Sequence, residues 1–138
     1  MSEQQWIAGI TFESPGRPPK QMNALALAYI GDAVYELYIR QHLLAETNHK
    51  THHLHKRSIS YVSAKAQSAF LERWLPLLTP EDLDVVKRGR NANSGTVPKN
   101  VELLVYRRAT GFESLVGYLY VDRRFDRLNE LMRVIFSP

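Results

Sequence analysis

Residues 23–34 read Asn23-Ala24-Leu25-Ala26-Leu27-Ala28-Tyr29-Ile30-Gly31-Asp32-Ala33-Val34. Alanine and leucine are strong helix formers, and an asparagine ahead of them accepts a free first-turn N–H. The run predicts a helix capped by Asn23 and reaching about Leu44. Leu27, Ile30, Val34 and Leu37 fall three and four apart and mark a buried stripe. Gln41 stands at the next place, so the stripe weakens in the last turns. Nearly all of the first half is apolar, as expected of a central helix.

Working outward, residues 1–20 hold three of the seven prolines and no sustained period, and they read as an irregular lead-in. Thr51 is the expected cap of a second helix, running through His55, Ile59, Val62, Ala66, Ala69 and Phe70 to Trp74. Leu75-Pro76 ends it. Thr79-Pro80-Glu81-Asp82 is a helix start: a hydroxyl cap, proline in the first turn, then acids on the positive end of the dipole. That helix should fade near Gly89, and residues 90–98 have loop chemistry throughout. The pattern is helical again from Asn100 to about Val121, with an interruption expected at Gly111. A last amphipathic helix carries Phe125, Leu128, Met132 and Ile135 on one face. Alternating β-branched residues are scarce, so the expected fold is all-α, a single domain over residues 21–138.

The 138 residues are 44% hydrophobic and 23% charged, which excludes a wholly disordered chain. There are no cysteines, so a disulfide scaffold, a thiolate metal site and a cysteine nucleophile are all excluded. The sequence holds no 18-residue apolar run and no basic, apolar leader, so no membrane is expected and the location is read as cytoplasmic. The formal charge of +4 is unevenly spread. Residues 87–108 carry +5 and residues 49–57 carry +3 with four histidines, leaving −4 on the rest of the chain. A local basic surplus is what a surface facing polyphosphate requires. The histidines lack the ordered spacing of a zinc site.

Two acids stand out. Asp32 follows a glycine in an apolar helix, with Glu36 four residues on along the same face. Glu113 sits in Thr110-Gly111-Phe112-Glu113-Ser114-Leu115-Val116-Gly117-Tyr118, again one acid among apolar and small residues. Two readings fit. In one, Gly31 is a helix–helix crossing and each acid is a buried ion-pair partner. In the other, the helices cross so that the two carboxylates form a pair of hard oxygen ligands for Mg²⁺, the equipment for phosphodiester hydrolysis beside a basic surface.

Tyr29-Ile30-Gly31-Asp32-Ala33-Val34 resembles the signature helix of the ribonuclease III endonuclease-domain family. Residues 112–120, Phe112-Glu113-Ser114-Leu115-Val116-Gly117-Tyr118-Leu119-Tyr120, resemble that family's second acidic motif. With Val62-Ser63-Ala64-Lys65 and Lys87-Arg88-Gly89-Arg90-Asn91-Ala92, they are similar to the Mini-III branch, which lacks a double-stranded-RNA-binding domain. A chain with nothing after Pro138 agrees with that branch. The resemblance spans about residues 22–136.

It implies a helical homodimer that cleaves double-stranded RNA with Mg²⁺, leaving 5′-phosphate and 3′-hydroxyl ends, each protomer cutting one strand. It also implies 23S ribosomal RNA precursor as substrate, with a ribosomal protein on that substrate assisting. Asp32 and Glu113 take the positions of catalytic, metal-holding acids, and Glu36 is a further candidate through water. Three positions that are acidic in ribonuclease III proper are Leu25, Ala28 and Thr110 here. For RNA contact the resemblance points to Arg88, Arg90, Asn91, Ser94, Lys99, His55, Lys56 and Lys65. Two rivals are a catalytically impaired RNA-binding module and a helical interaction protein.

Overall fold

The computed structural model describes residues 13–92, 95 and 97–137. Among them are six α-helices: α1 (Ala24–Leu44), α2 (Thr51–Val62), α3 (Ala64–Trp74), α4 (Pro80–Asn91), α5 (Leu103–Val121) and α6 (Phe125–Phe136). No strand occurs among the described residues, and none of these helices is long and apolar enough to cross a membrane.

The centre is α5, which packs most extensively on α1 and then on α4 and α3. Ten of its residues between Ala109 and Leu119 are buried. Across α1 the approach is backbone on backbone. A Cβ placed on Gly31 would stand 1.9 Å from the Glu113 carbonyl oxygen, and one on Gly117 would stand 1.9 Å from that of Leu27. Only glycine fits at either place. Phe112 lies between Trp74, stacked at a centroid distance of 4.4 Å, and Tyr35, edge-on at 4.9 Å. These three rings bind α1, α3 and α5 into one core.

The caps follow from local chemistry. Asn23 Oδ1 accepts from the Ala26 N–H at 2.8 Å, which starts α1. Thr79 and Asp82 form a reciprocal capping box at α4. Asp82 is wholly buried and also meets Arg124 at 3.4 Å and Arg127 at 3.7 Å, tying α4 to the start of α6.

Four expectations are corrected. The stretch from Thr51 to Trp74 is two helices. Ser63 leaves the helical region at φ −62°, ψ 153°, and its hydroxyl caps α3 by accepting from Ala66 N–H at 3.2 Å. A serine side chain competes for backbone N–H, and the hydrophobic period does not register that. The α2 cap is Lys50, whose N–H is met by Asn48 Oδ1. Gly111 does not interrupt α5; it admits α4, since a Cβ there would lie 2.7 Å from the Val86 carbonyl oxygen. Finally, the buried line of α1 runs through Ala24, Leu27, Ala28, Gly31, Val34 and Tyr35, while Leu37 is 43% exposed. The small residues turn the helix, because α5 comes closest where side chains are least.

Candidate active site

The Gly31 crossing delivers the next residue, Asp32, to the place where α5 carries Glu113. Asp32 is exposed and Glu113 half-buried, so Asp32 is not the buried acid that the ion-pair reading required. The two carboxyl groups line one cleft, and Asp32 raises the Glu113 carboxyl. Burial, then the hydrogen bond and charge of Asp32, push the Glu113 carboxyl up to about 8. Gln67 opposes that shift by donating a hydrogen bond, and Glu36 adds to it through its charge. Among the described residues no lysine or arginine stands within ion-pair distance of either acid. The ion-pair reading of Asp32 therefore fails, although the helix crossing it assumed is present.

The pair opens into a cleft of about 360 Å³ whose other walls include Tyr29, Val62, Gln67 and Pro98. Leu25, Ala28 and Thr110 line the same cleft. The three positions that depart from the ribonuclease III acids thus surround the two that match. Thr110 does not substitute, because its hydroxyl donates to the Tyr106 carbonyl at 3.1 Å. Among the described residues no three His, Asp or Glu side chains converge as a metal-ligand group. Glu36 turns to Arg40, 3.2 Å away.

The proposed RNA contacts separate into groups. Lys65 and Lys99 are exposed and adjoin Ala64 and Pro98 of the cleft wall. Asn91 is exposed at the end of α4, and Arg90 beside it is half-buried. Arg88 is held inward, donating to the Met22 carbonyl at 2.6 Å. His55 and Lys56 are exposed on α2, where His55 borders a second cleft with Arg40 and Leu43. Eleven residues of helix separate Leu43 from Asp32, or about 16 Å. Ser94 lies outside the described residues. Arg108 pairs with Glu72 at 3.1 Å. Part of the histidine-rich stretch is structural: His49 Nε2 lies 2.9 Å from the Leu44 carbonyl oxygen, and Arg57 meets Glu46 at 2.8 Å.

One residue at the site escaped the sequence reading. Gln67 is 3% exposed, lines the same cleft as the two acids, and opposes the rise of the Glu113 carboxyl. The signal was present, since Gln67 falls on the line of Leu71 and Trp74 along α3, a polar residue in an apolar row.

The Ribonuclease III domain matches residues 25–124. Mini-ribonuclease 3 of Thermoanaerobacter sp. (strain X514) is 49% identical over 82% of this chain and 80% of its own length. That of Enterococcus faecalis is 49% identical over 84% of this chain and 89% of its own. The crystal structure of protein FN1578 from Fusobacterium nucleatum superposes with a TM-score of 0.80 at 27% identity, covering 87% of this chain and 98% of that one. Both acids fall inside the matched segment, so the chain belongs to the ribonuclease III domain family, resembles its Mini-ribonuclease 3 members, and is an endoribonuclease.

Proposed function

We propose that this endoribonuclease cuts double-stranded RNA with Mg²⁺ and matures 23S ribosomal RNA precursor. The observation that carries the reading is the Asp32–Glu113 pair in an open cleft, with no cationic partner among the described residues. Two adjacent carboxylates that repel each other's ionisation fit a divalent cation, which removes the repulsion. Mg²⁺ prefers oxygen donors and keeps several of its waters, so two protein ligands suffice with water and phosphate in the remaining places. When bound, it supplies the charge that orients and acidifies a water for in-line attack on phosphorus, giving 5′-phosphate and 3′-hydroxyl ends.

The chain's own residues do the rest. Asp32 and Glu113 hold the cation, and Glu36 acts through water. Lys65 and Lys99 meet phosphates beside the scissile bond. Arg90, Asn91 and Ser94 extend the contact, with Arg88 behind them, while His55 and Lys56 touch the duplex further along. A-form RNA is read through its shape, phosphates and 2′-hydroxyls. Two protomers pair, each cutting one strand. The ribosomal RNA precursor, an assisting ribosomal protein and a cytoplasmic setting rest on the likeness to the Mini-ribonuclease 3 relatives. A duplex-RNA assay with Mg²⁺, then with EDTA, tests the core of the reading. Cleavage that EDTA abolishes supports it. Binding without cleavage turns the protein into an RNA-binding module, and absence of both into an interaction protein.

A further inference from the structure

α2 buries none of its residues, whereas each of the other five α-helices buries at least four. Its two ends are held differently. A helix leaves its last carbonyls without intrahelical partners. Here the Tyr61 carbonyl accepts from Tyr35 Oη at 2.8 Å, and the Val62 carbonyl accepts from Gln67 Nε2 at 3.2 Å. The Tyr61 ring also lies edge-on to His42 and to Phe136, each at a centroid distance of 5.9 Å. These partners belong to α1, α3 and α6, so the C-terminal end is pinned from three sides.

Toward its N-terminal end the helix stands off the body. A cleft of about 320 Å³ opens between Leu43 and Leu44 of α1 and Thr51, Leu54 and Ser58 of α2. Leu54 is the apolar side chain of this half, and it is only half-buried. The polar contacts are Arg57 with Glu46 at 2.8 Å and His53 with the same carboxylate at 3.8 Å, all three side chains partly open to solvent. Ion pairs in water contribute little, and an element with few buried apolar contacts opens ahead of the rest of a fold.

The joint is Ser63, the single residue between α2 and α3, extended at φ −62° and ψ 153°. Its neighbours on either side, Val62 and Ala64, both line the cleft that holds Asp32 and Glu113. The free half of the helix carries exposed His55 and Lys56. Seven residues of helix set His55 about 10 Å from Val62.

We propose that α2 is a hinged arm: it pivots at Ser63 across its cleft with α1, and duplex RNA on His55 and Lys56 fixes its position and, with it, the Val62–Ala64 wall beside the two acids. The inference rests on the proposed duplex-RNA reading. A short rigid helix with one extended residue at its pivot converts contact at the far end into a displacement at the cleft.

The sequence holds no cysteine, so introduced cysteines take label alone. Spin labels on His52→Cys with Asp84→Cys report α2 against α4, and on Asp84→Cys with Asp126→Cys they report α4 against α6. All three positions are exposed, and excess unlabelled protein isolates distances within one chain. By double electron–electron resonance, the arm pair of the free protein should give a broader distribution than the reference pair. Duplex RNA in Ca²⁺ should narrow it to the reference width. Glu46→Gln should broaden it further in the free protein and leave the reference pair unchanged. An arm pair as narrow as the reference in free protein overturns the hinge. A broad arm pair that bound RNA leaves broad overturns the proposal and leaves the ribonuclease reading standing. Protein that binds no duplex overturns both.

Discussion

Asp32 is exposed and forms none of the core, so its removal should separate chemistry from folding. Asp32→Asn keeps the shape and deletes the charge. Cleavage of duplex RNA should be lost, with circular dichroism and melting temperature near wild type; an active purified variant would remove Asp32 from the site. Glu113 carries a second expectation. Its carboxyl stands at about 8 against an ordinary 4.5, raised by burial and by Asp32. A raised carboxyl means the folded protein holds a proton that the unfolded chain releases, so this stabilisation is complete below about 4.5 and is lost as pH climbs through about 8. In EDTA, wild type should therefore lose melting temperature across that interval by more than Glu113→Gln does. Parallel profiles would show that the Glu113 carboxyl is not raised. The Gly31-Asp32 pair was legible because a glycine and an acid both break the logic of an apolar helix. Gln67 was passed over although it interrupts the apolar line of Leu71 and Trp74, because a lone glutamine on a periodic face is ordinary until the cleft it lines is seen.

Helices were read well where their ends carry side-chain caps. Asn23 and the Thr79–Asp82 box hold the positions their chemistry announced. The failures lie where glycine or serine acts through a neighbour. Ser63 divides a continuous period because its hydroxyl caps one helix at the expense of another. Gly111 reads as a weak point in α5 until α4 is seen lying across it. The same logic makes the α1–α5 crossing the sensitive joint of the fold. Gly31→Ala puts a Cβ 1.9 Å from a backbone oxygen, and backbone cannot step aside as a side chain can. We expect a loss of about 3 kcal/mol, the upper end of ordinary overpacking, and loss of cleavage as Glu113 is pushed from Asp32. Gly16→Ala, with nothing within 4 Å, is the matched control and should unfold in urea as wild type does. Equal urea midpoints for the two variants would contradict the close approach.

On the scale of the molecule, apolar surface and charge are the remaining clues. Tyr29 is 85% exposed at the mouth of the cleft, and Leu103 and Leu104 at the start of α5 are 47% and 53% exposed. Together with Leu37 they leave uncovered apolar area that a second copy would bury, which is the physical side of the homodimer expectation. Sedimentation at micromolar concentration should give a dimer, and Tyr29→Glu should give a folded monomer, since that ring contributes little to its own core. The basic surplus was visible as windows in the chain, yet the fold redistributes it. Arg88 is held by Met22 and Arg108 by Glu72, so neither is as available to RNA as its sequence position suggests. Lys65 lies outside both windows and Lys99 inside one, yet each adjoins a residue of the cleft wall. A lysine on a phosphate releases condensed counterions, so duplex affinity falls with salt in proportion to the number of such contacts. Lys65→Ala with Lys99→Ala should flatten the log–log salt slope by about two units, roughly one for each lost contact. Binding should weaken similarly on unrelated duplex sequences, because phosphate contacts set position and carry little sequence information. The titration is run in Ca²⁺ to limit cutting, with Arg108→Ala as comparison. Arg108 is engaged with a carboxylate, so its removal should leave the slope nearly unchanged. The opposite ranking would move the RNA path off the cleft rim and onto the outer face of α5.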